Sequence, residues 1–199
     1  MDLRWALLVP AYLVGTFPTA VLVGRREGRD PTKEGSGNPG ASNALRTMGR
    51  RAGVLVLAGD LGKGMLAAGA GWAAGGQALG VACGLAAVLG HVFPATRRFQ
   101  GGKGVATAAG VAVVLLPLAS LALTALWGLV LAVTRVSAIA SLAVAAALPV
   151  AAALAGRPAW EVAAFAGCSL LVALRHRENI ERLRRGDEPD LRGGSGRTS

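Results

Sequence analysis

Charge is what this chain is short of. Only 16% of its 199 residues are charged, and acids are scarcer than bases, 11 against 21. An average soluble domain carries roughly 25% charged residues, so the composition argues against a water-soluble globule. Cysteine is equally sparse. Cys83 and Cys168 each sit inside an apolar run, with neither the spacing of a metal cage nor the numbers of a disulfide framework. Both read as small packing residues. No polar segment offers a carboxylate base beside Ser and His, or a set of metal ligands. Triad hydrolysis, redox chemistry and metal catalysis therefore lack their residues, and no cofactor or metal is expected.

What is abundant is apolar sequence. Hydrophobic residues make up 53% of the chain and the mean hydropathy is +0.49. They gather in long runs at about 5–24, 52–74, 77–94, 104–118, 119–134, 137–155 and 159–174, the pattern of membrane spans rather than of a globular core. The first run is long enough to cross and shows no convincing cleavage site, so it is expected to stay as a span. The uncharged stretch Gly104 to Thr134 is 31 residues long, too long for one span and short for two. Pro117 supplies a break within it.

The basic residues decide how these runs are threaded. With seven spans and the N-terminus outside, 18 of the 21 Lys and Arg fall on the cytoplasmic side, and only Arg4, Lys63 and Arg157 fall elsewhere. That is the positive-inside pattern, and a single span over 104–134 would break it. It also makes a nucleic-acid partner unnecessary as an explanation of the net charge of +10. Small residues such as Ala67-Ala68-Gly69-Ala70-Gly71 let spans approach closely. The expectation is an all-α polytopic membrane protein, a seven-helix bundle with the C-terminus in the cytoplasm. One membrane domain covers 1–186, followed by a polar, disordered tail over 187–199.

On this threading every polar motif faces the cytoplasm. Gly35-Ser36-Gly37-Asn38-Pro39-Gly40 fits G-x-G-x-x-G, but it follows a basic loop rather than a strand, so no dinucleotide fold is implied. Its glycines still suit close backbone approach to an anion. Ser42 or Asn43 could cap a following helix that carries Arg46 on the same face. In Gly101-Gly102-Lys103-Gly104 the P-loop glycine is replaced by Arg97, and the residue after Lys103 is Gly104. The ATP reading fails, yet a glycine-framed lysine at a helix start remains a phosphate clamp. Ser137 and Ser141 share a helix face, as do His176 and Asn179, while His91 opens the second loop. Asp60 and Lys63, three apart within an apolar run, can pair. Donors and positive charge without a base suit the binding of phosphate groups beside a membrane.

The stretches GSGNPGASN with Arg46, DLGKG at 60–64, GHVFP…RFQGGKGVAT at 90–107, RVSAIASL at 135–142 and HRENIERL at 176–183 resemble the bacterial acyl-phosphate:glycerol-3-phosphate acyltransferase family. Ser42 stands where the family has Thr, and Gln100 where it often has Lys. The resemblance implies acyl transfer from acyl phosphate to the 1-hydroxyl of sn-glycerol 3-phosphate, by a monomer in the bacterial inner membrane with its active site facing the cytoplasm. On the cluster of donors described above, Lys103, Arg46 and His176 are assigned to catalysis. Ser36, Asn38, Asn43, Ser137, Ser141, Asn179, Gly101, Gly102 and His91 are assigned to substrate binding. The acyl chain should lie between helices, open to the membrane lipids. The alternative from the residues alone is an anion or lipid-phosphate transporter, which basic loops and intramembrane charges would also serve.

Overall fold

The computed structural model describes residues 2–191. Among them every regular element is helical, in two compact units, Met1–Pro117 and Leu118–Ser199. Four stretches are long and apolar enough to cross a membrane: Leu3–Arg26, Ala41–Arg97, Pro117–Thr134 and Ser137–Leu154.

The first unit opens with a 3-10 turn, Leu3–Leu7, followed by α1 (Leu8–Gly15) and α2 (Thr19–Arg26). The expected run over 5–24 thus remains one stretch long and apolar enough to cross, Leu3–Arg26, with a break inside it. Proline disfavours helical backbone in the residue before it, and Pro18 separates the two helices. After a long loop, α3 (Ala41–Val92) leaves helical geometry at Gly49 and again at Gly75 and Gly76. Gly76, at φ +73° and ψ −161°, occupies a region open essentially to glycine alone. The chain turns back there, so that 50–74 and 77–92 pack together: a Cβ on Gly71 would meet the Leu79 carbonyl.

The same close approach binds the neighbouring helices. Gly15 of α1 lies against the backbone of Ala87, and Gly90 against that of Tyr12. In α4 (Val105–Leu115), Gly110 abuts the Leu61 carbonyl, while Gly64 of α3 abuts that of Thr107. Paired glycines of this kind bring helices to backbone contact where burial from water no longer drives association.

The second unit holds α5 (Pro117–Thr134), which begins at the proline expected to break the run, then α6 (Ser137–Leu154), α7 (Ala159–Arg175) and the short basic α8 (Arg177–Arg185). Helices α6 and α7 pack against each other. The described chain reaches Leu191, past the Asp187 boundary expected for the tail. Glu188 is buried, and the Leu191 N–H donates to the Arg135 carbonyl at 3.1 Å. The rest of that expectation, 192–199, lies outside the described residues.

Candidate phosphate-binding site

In the first unit the loop between α2 and α3 is folded around one side chain. Asn43, 1% exposed, donates its amide to the Pro31 carbonyl at 2.9 Å and the Glu34 carbonyl at 3.0 Å. Its Oδ1 accepts the Ser36 N–H at 2.9 Å. Both amide protons are spent inside the protein, so Asn43 shapes the loop instead of reaching outward. Nor do Ser42 and Asn43 cap the helix, as expected. The cap is Gly40, without a side-chain hydrogen bond, and both residues lie within the first turn of α3. Gly35 is required for the same reason that Asn43 is buried. At φ +60°, a Cβ there would stand 2.3 Å from Asn43 Oδ1.

Arg46, one turn further along α3, reaches back to the same loop. Its Nη2 lies 3.4 Å from Ser36 Oγ. Arg29 secures the other edge by donating to Glu34 at 3.2 Å and to the Thr47 carbonyl. Asp30 accepts from the Thr32 hydroxyl at 2.7 Å and from its N–H at 3.0 Å. These bonds, the hydroxyl first, hold its carboxyl below the usual carboxylate range. Ser36, Asn43 and Arg46 are thus assembled as one cluster.

The loop between α3 and α4 is anchored from α1. Tyr12 donates its hydroxyl to the Phe93 carbonyl at 2.7 Å and accepts the Ala95 N–H at 3.0 Å. Arg98 and Phe99 then take left-handed backbone, φ 51° and 61°, conformations that non-glycine residues adopt at some cost. The turn closes on His91, whose carbonyl accepts the Gly102 N–H at 3.1 Å. A Cβ on Gly101 would meet that carbonyl at 2.0 Å, and one on Gly102 the His91 ring at 2.2 Å. Lys103 follows at once, and α4 starts two residues later behind Gly104.

Beneath this turn lie the intramembrane charges. Lys63 Nζ is 2.8 Å from Asp60 Oδ1, confirming the pairing that their spacing suggests. It also donates to the Phe17 carbonyl at 3.0 Å and approaches His91 Nδ1 at 3.1 Å. A small polar pocket forms where these groups meet, lined by Thr16, Pro39, Asp60, Lys63, His91 and Gly102 among others. An apolar groove lined by Pro10, Leu13, Val14, Gly62 and Leu66 adjoins it. Phe17 and Lys63 border both. Among the described residues no cluster of His, Cys, Asp or Glu could hold a metal ion.

The four remaining expected residues belong to the second unit. Ser137 and Ser141 are both buried on α6, and Ser141 Oγ lies 3.5 Å from Trp127 Nε1. His176 is buried, with Nδ1 2.7 Å from the Val172 carbonyl. A carbonyl can only accept, so Nδ1 carries the proton in that bond. Asn179 donates to Glu188 Oε1 at 2.5 Å, and Arg182 Nε donates to Oε2 at 2.7 Å. Sequence reasoning did not single out Tyr12, Arg182 or Glu188. The signal for Glu188 was present in Gly186, whose left-handed backbone (φ +74°) turns the chain back after α8.

Comparison with known proteins gives the family. The family model for glycerol-3-phosphate acyltransferase matches residues 5–186. A glycerol-3-phosphate acyltransferase of Thioalkalivibrio sulfidiphilus is 44% identical over 96% of this chain and 95% of its own, and one of Rubrobacter xylanophilus is 40% identical over 96% of each. The crystal structure of PlsY, an integral membrane glycerol 3-phosphate acyltransferase, in its glycerol 3-phosphate form superposes with a TM-score of 0.90. It is 34% identical, with 94% of each chain covered. The lysophosphatidic acid form gives 0.88. A family match across nearly the whole chain, joined to relatives at this level of identity, shows that the protein is an acyltransferase and belongs to the glycerol-3-phosphate acyltransferase family.

Proposed function

We propose that this protein transfers an acyl chain from an acyl phosphate to the 1-hydroxyl of sn-glycerol 3-phosphate, giving lysophosphatidic acid and inorganic phosphate. The observation that carries the proposal is a polar pocket beside an apolar groove, with Phe17 and Lys63 common to both linings. An acyl phosphate has that polarity, a dianionic head on an apolar chain. The names of its relatives and its crystallographic neighbours support the acceptor and the product; the donor rests on the family resemblance together with that polarity.

That chemistry asks little of the protein. The acceptor oxygen bonds to the acyl carbon, the acyl–oxygen bond to phosphate breaks, and the hydroxyl proton ends on the departing phosphate. No covalent nucleophile is needed, and no external base, since the leaving group takes the proton. The buried carboxylate of the first unit, Asp60, is already committed to Lys63. Catalysis then rests on holding two anions in line and neutralising charge as it shifts. Lys103 and Arg46 bind phosphate, Ser36 and Asn38 position it, and Asn43 keeps the loop between α2 and α3 in shape. For the second unit, His176 and Asn179, helped by Ser137 or Ser141, contact glycerol phosphate.

The proposal includes seven spans with the loops facing the cytoplasm of a bacterial inner membrane. Its support is the distribution of the Lys and Arg residues. Purified protein given glycerol 3-phosphate with palmitoyl phosphate or palmitoyl-CoA in parallel tests the reading. Lysophosphatidic acid and equimolar phosphate are expected from palmitoyl phosphate. Product from palmitoyl-CoA alone overturns the donor, and no product from either overturns the reaction.

A further inference from the structure

Lys63 places an ammonium within an otherwise apolar segment, and each of its three N–H bonds has an acceptor: Asp60 Oδ1 at 2.8 Å, the Phe17 carbonyl at 3.0 Å and His91 Nδ1 at 3.1 Å. Asp60, Lys63 and His91 are 3%, 6% and 8% exposed. Helix packing alone does not call for such a group, because apolar side chains of similar volume often hold helices at equal or lower cost than a buried ion pair. The Phe17 carbonyl is available through the break that Pro18 makes between α1 and α2.

The third bond has a consequence for His91. An ammonium only donates, so His91 Nδ1 must accept, and the ring proton sits on Nε2. Asp60 Oδ1 is 3.7 Å from Nδ1, too far for a hydrogen bond, so of these two charged groups it is Lys63 that bonds Nδ1. Nε2 faces the glycine turn, since a Cβ on Gly102 would stand 2.2 Å from it, and the His91 carbonyl takes the Gly102 N–H at 3.1 Å. One residue therefore carries the turn before Lys103 on both its ring and its backbone.

We propose that Asp60 and Lys63 are positioning residues for the acyl transfer: they fix His91 as the neutral Nε2–H tautomer and, through it, the Gly101–Gly102 turn that presents Lys103 to a phosphate group. Asp60 neutralises, Lys63 orients and His91 transmits. The inference rests on the phosphate-binding role proposed above for Lys103.

The chain has only two histidines, so the nitrogen spectrum of ¹⁵N-histidine-labelled protein in detergent is simple, with His91→Gln assigning it. The expected spectrum has His91 protonated on Nε2 alone. Steady-state kinetics of the double variant Asp60→Asn with Lys63→Met, which leaves no unpaired charge, supply the second readout. The kcat with palmitoyl phosphate should fall about tenfold or more, in line with losing one charge-assisted hydrogen bond to the shifting charge, with the KM for glycerol 3-phosphate and the melting temperature little changed.

A proton on Nδ1 of His91 in the wild type overturns the proposal, as does an unchanged kcat in the double variant. If the double variant does not fold, the wild-type tautomer decides alone. A wild type that acylates nothing would refute the reaction. The network is then judged by the tautomer and by palmitoyl phosphate binding to the two proteins, which overturns it if their affinities are equal.

Discussion

Replacing Gly110 by alanine should destabilise this protein, although alanine is the better helix former. A Cβ at Gly110 would lie 2.0 Å from the Leu61 carbonyl oxygen, about 1.4 Å inside the 3.4 Å at which ordinary contact begins. The obstacle is backbone, so no rotamer change relieves it, and α3 and α4 must move apart. Overpacking of this kind costs about 1–3 kcal/mol, against a helix-propensity gain of about 0.5–1 kcal/mol. At Gly69, in α3, a Cβ meets nothing within 4 Å, so only the gain remains. The two substitutions are thus predicted to have opposite signs. For a chain of this size each kcal/mol moves the melting temperature by about 2–4 °C. Both cysteines are free and buried, so a thiol-reactive dye in detergent reports unfolding directly. Acyltransferase activity should fall in Gly110→Ala beyond the loss of folded protein, because α4 begins two residues after Lys103. A Gly110→Ala protein that melts at or above Gly69→Ala would refute the backbone-contact account.

Asn43→Ala should loosen the first loop by stranding two carbonyls and one N–H, each costing about 1–3 kcal/mol while it stays dry. The checks are a higher KM for glycerol 3-phosphate and faster tryptic cleavage at the exposed Lys33. Arg46→Lys keeps the charge but loses the planar fork, and kcat/KM should drop about tenfold or more if the fork grips phosphate. Glu188→Ala removes the acceptor shared by Asn179 and Arg182. A loss of about 2 kcal/mol, read as a lower melting temperature, is expected. Tyr12→Phe deletes both bonds that tie α1 to the second loop; about 1 kcal/mol of stability should go with them.

Local chemistry was legible in the sequence, and long-range encounters were not. The i,i+3 spacing of Asp60 and Lys63 announced their pairing, and Pro117 announced a break, because both depend on neighbours within one helix. His91 joins that pair from 28 residues away, and only the turn at Gly75–Gly76 brings it there. The Phe17 carbonyl became an acceptor because Pro18 split a run that hydropathy reads as continuous. Asn43 illustrates a different limit. Its residue type and place put it with the first loop, but composition cannot tell an amide that faces a ligand from one turned inward to hold the loop. The apolar runs themselves were placed well, since hydropathy averages over many residues. Their ends were not, because single glycines and prolines decide them.

The central claim is that the glycine-framed lysine of the first unit binds a reacting phosphate. Its most direct test is the initial rate of lysophosphatidic acid formation from palmitoyl phosphate and glycerol 3-phosphate by Lys103→Ala, beside wild type at matched folded concentration. Loss of one well-placed donor to developing charge lowers the rate by about 10²–10³-fold, and that loss is predicted here with an unchanged melting temperature. A Lys103→Ala enzyme working at the wild-type rate would contradict the account.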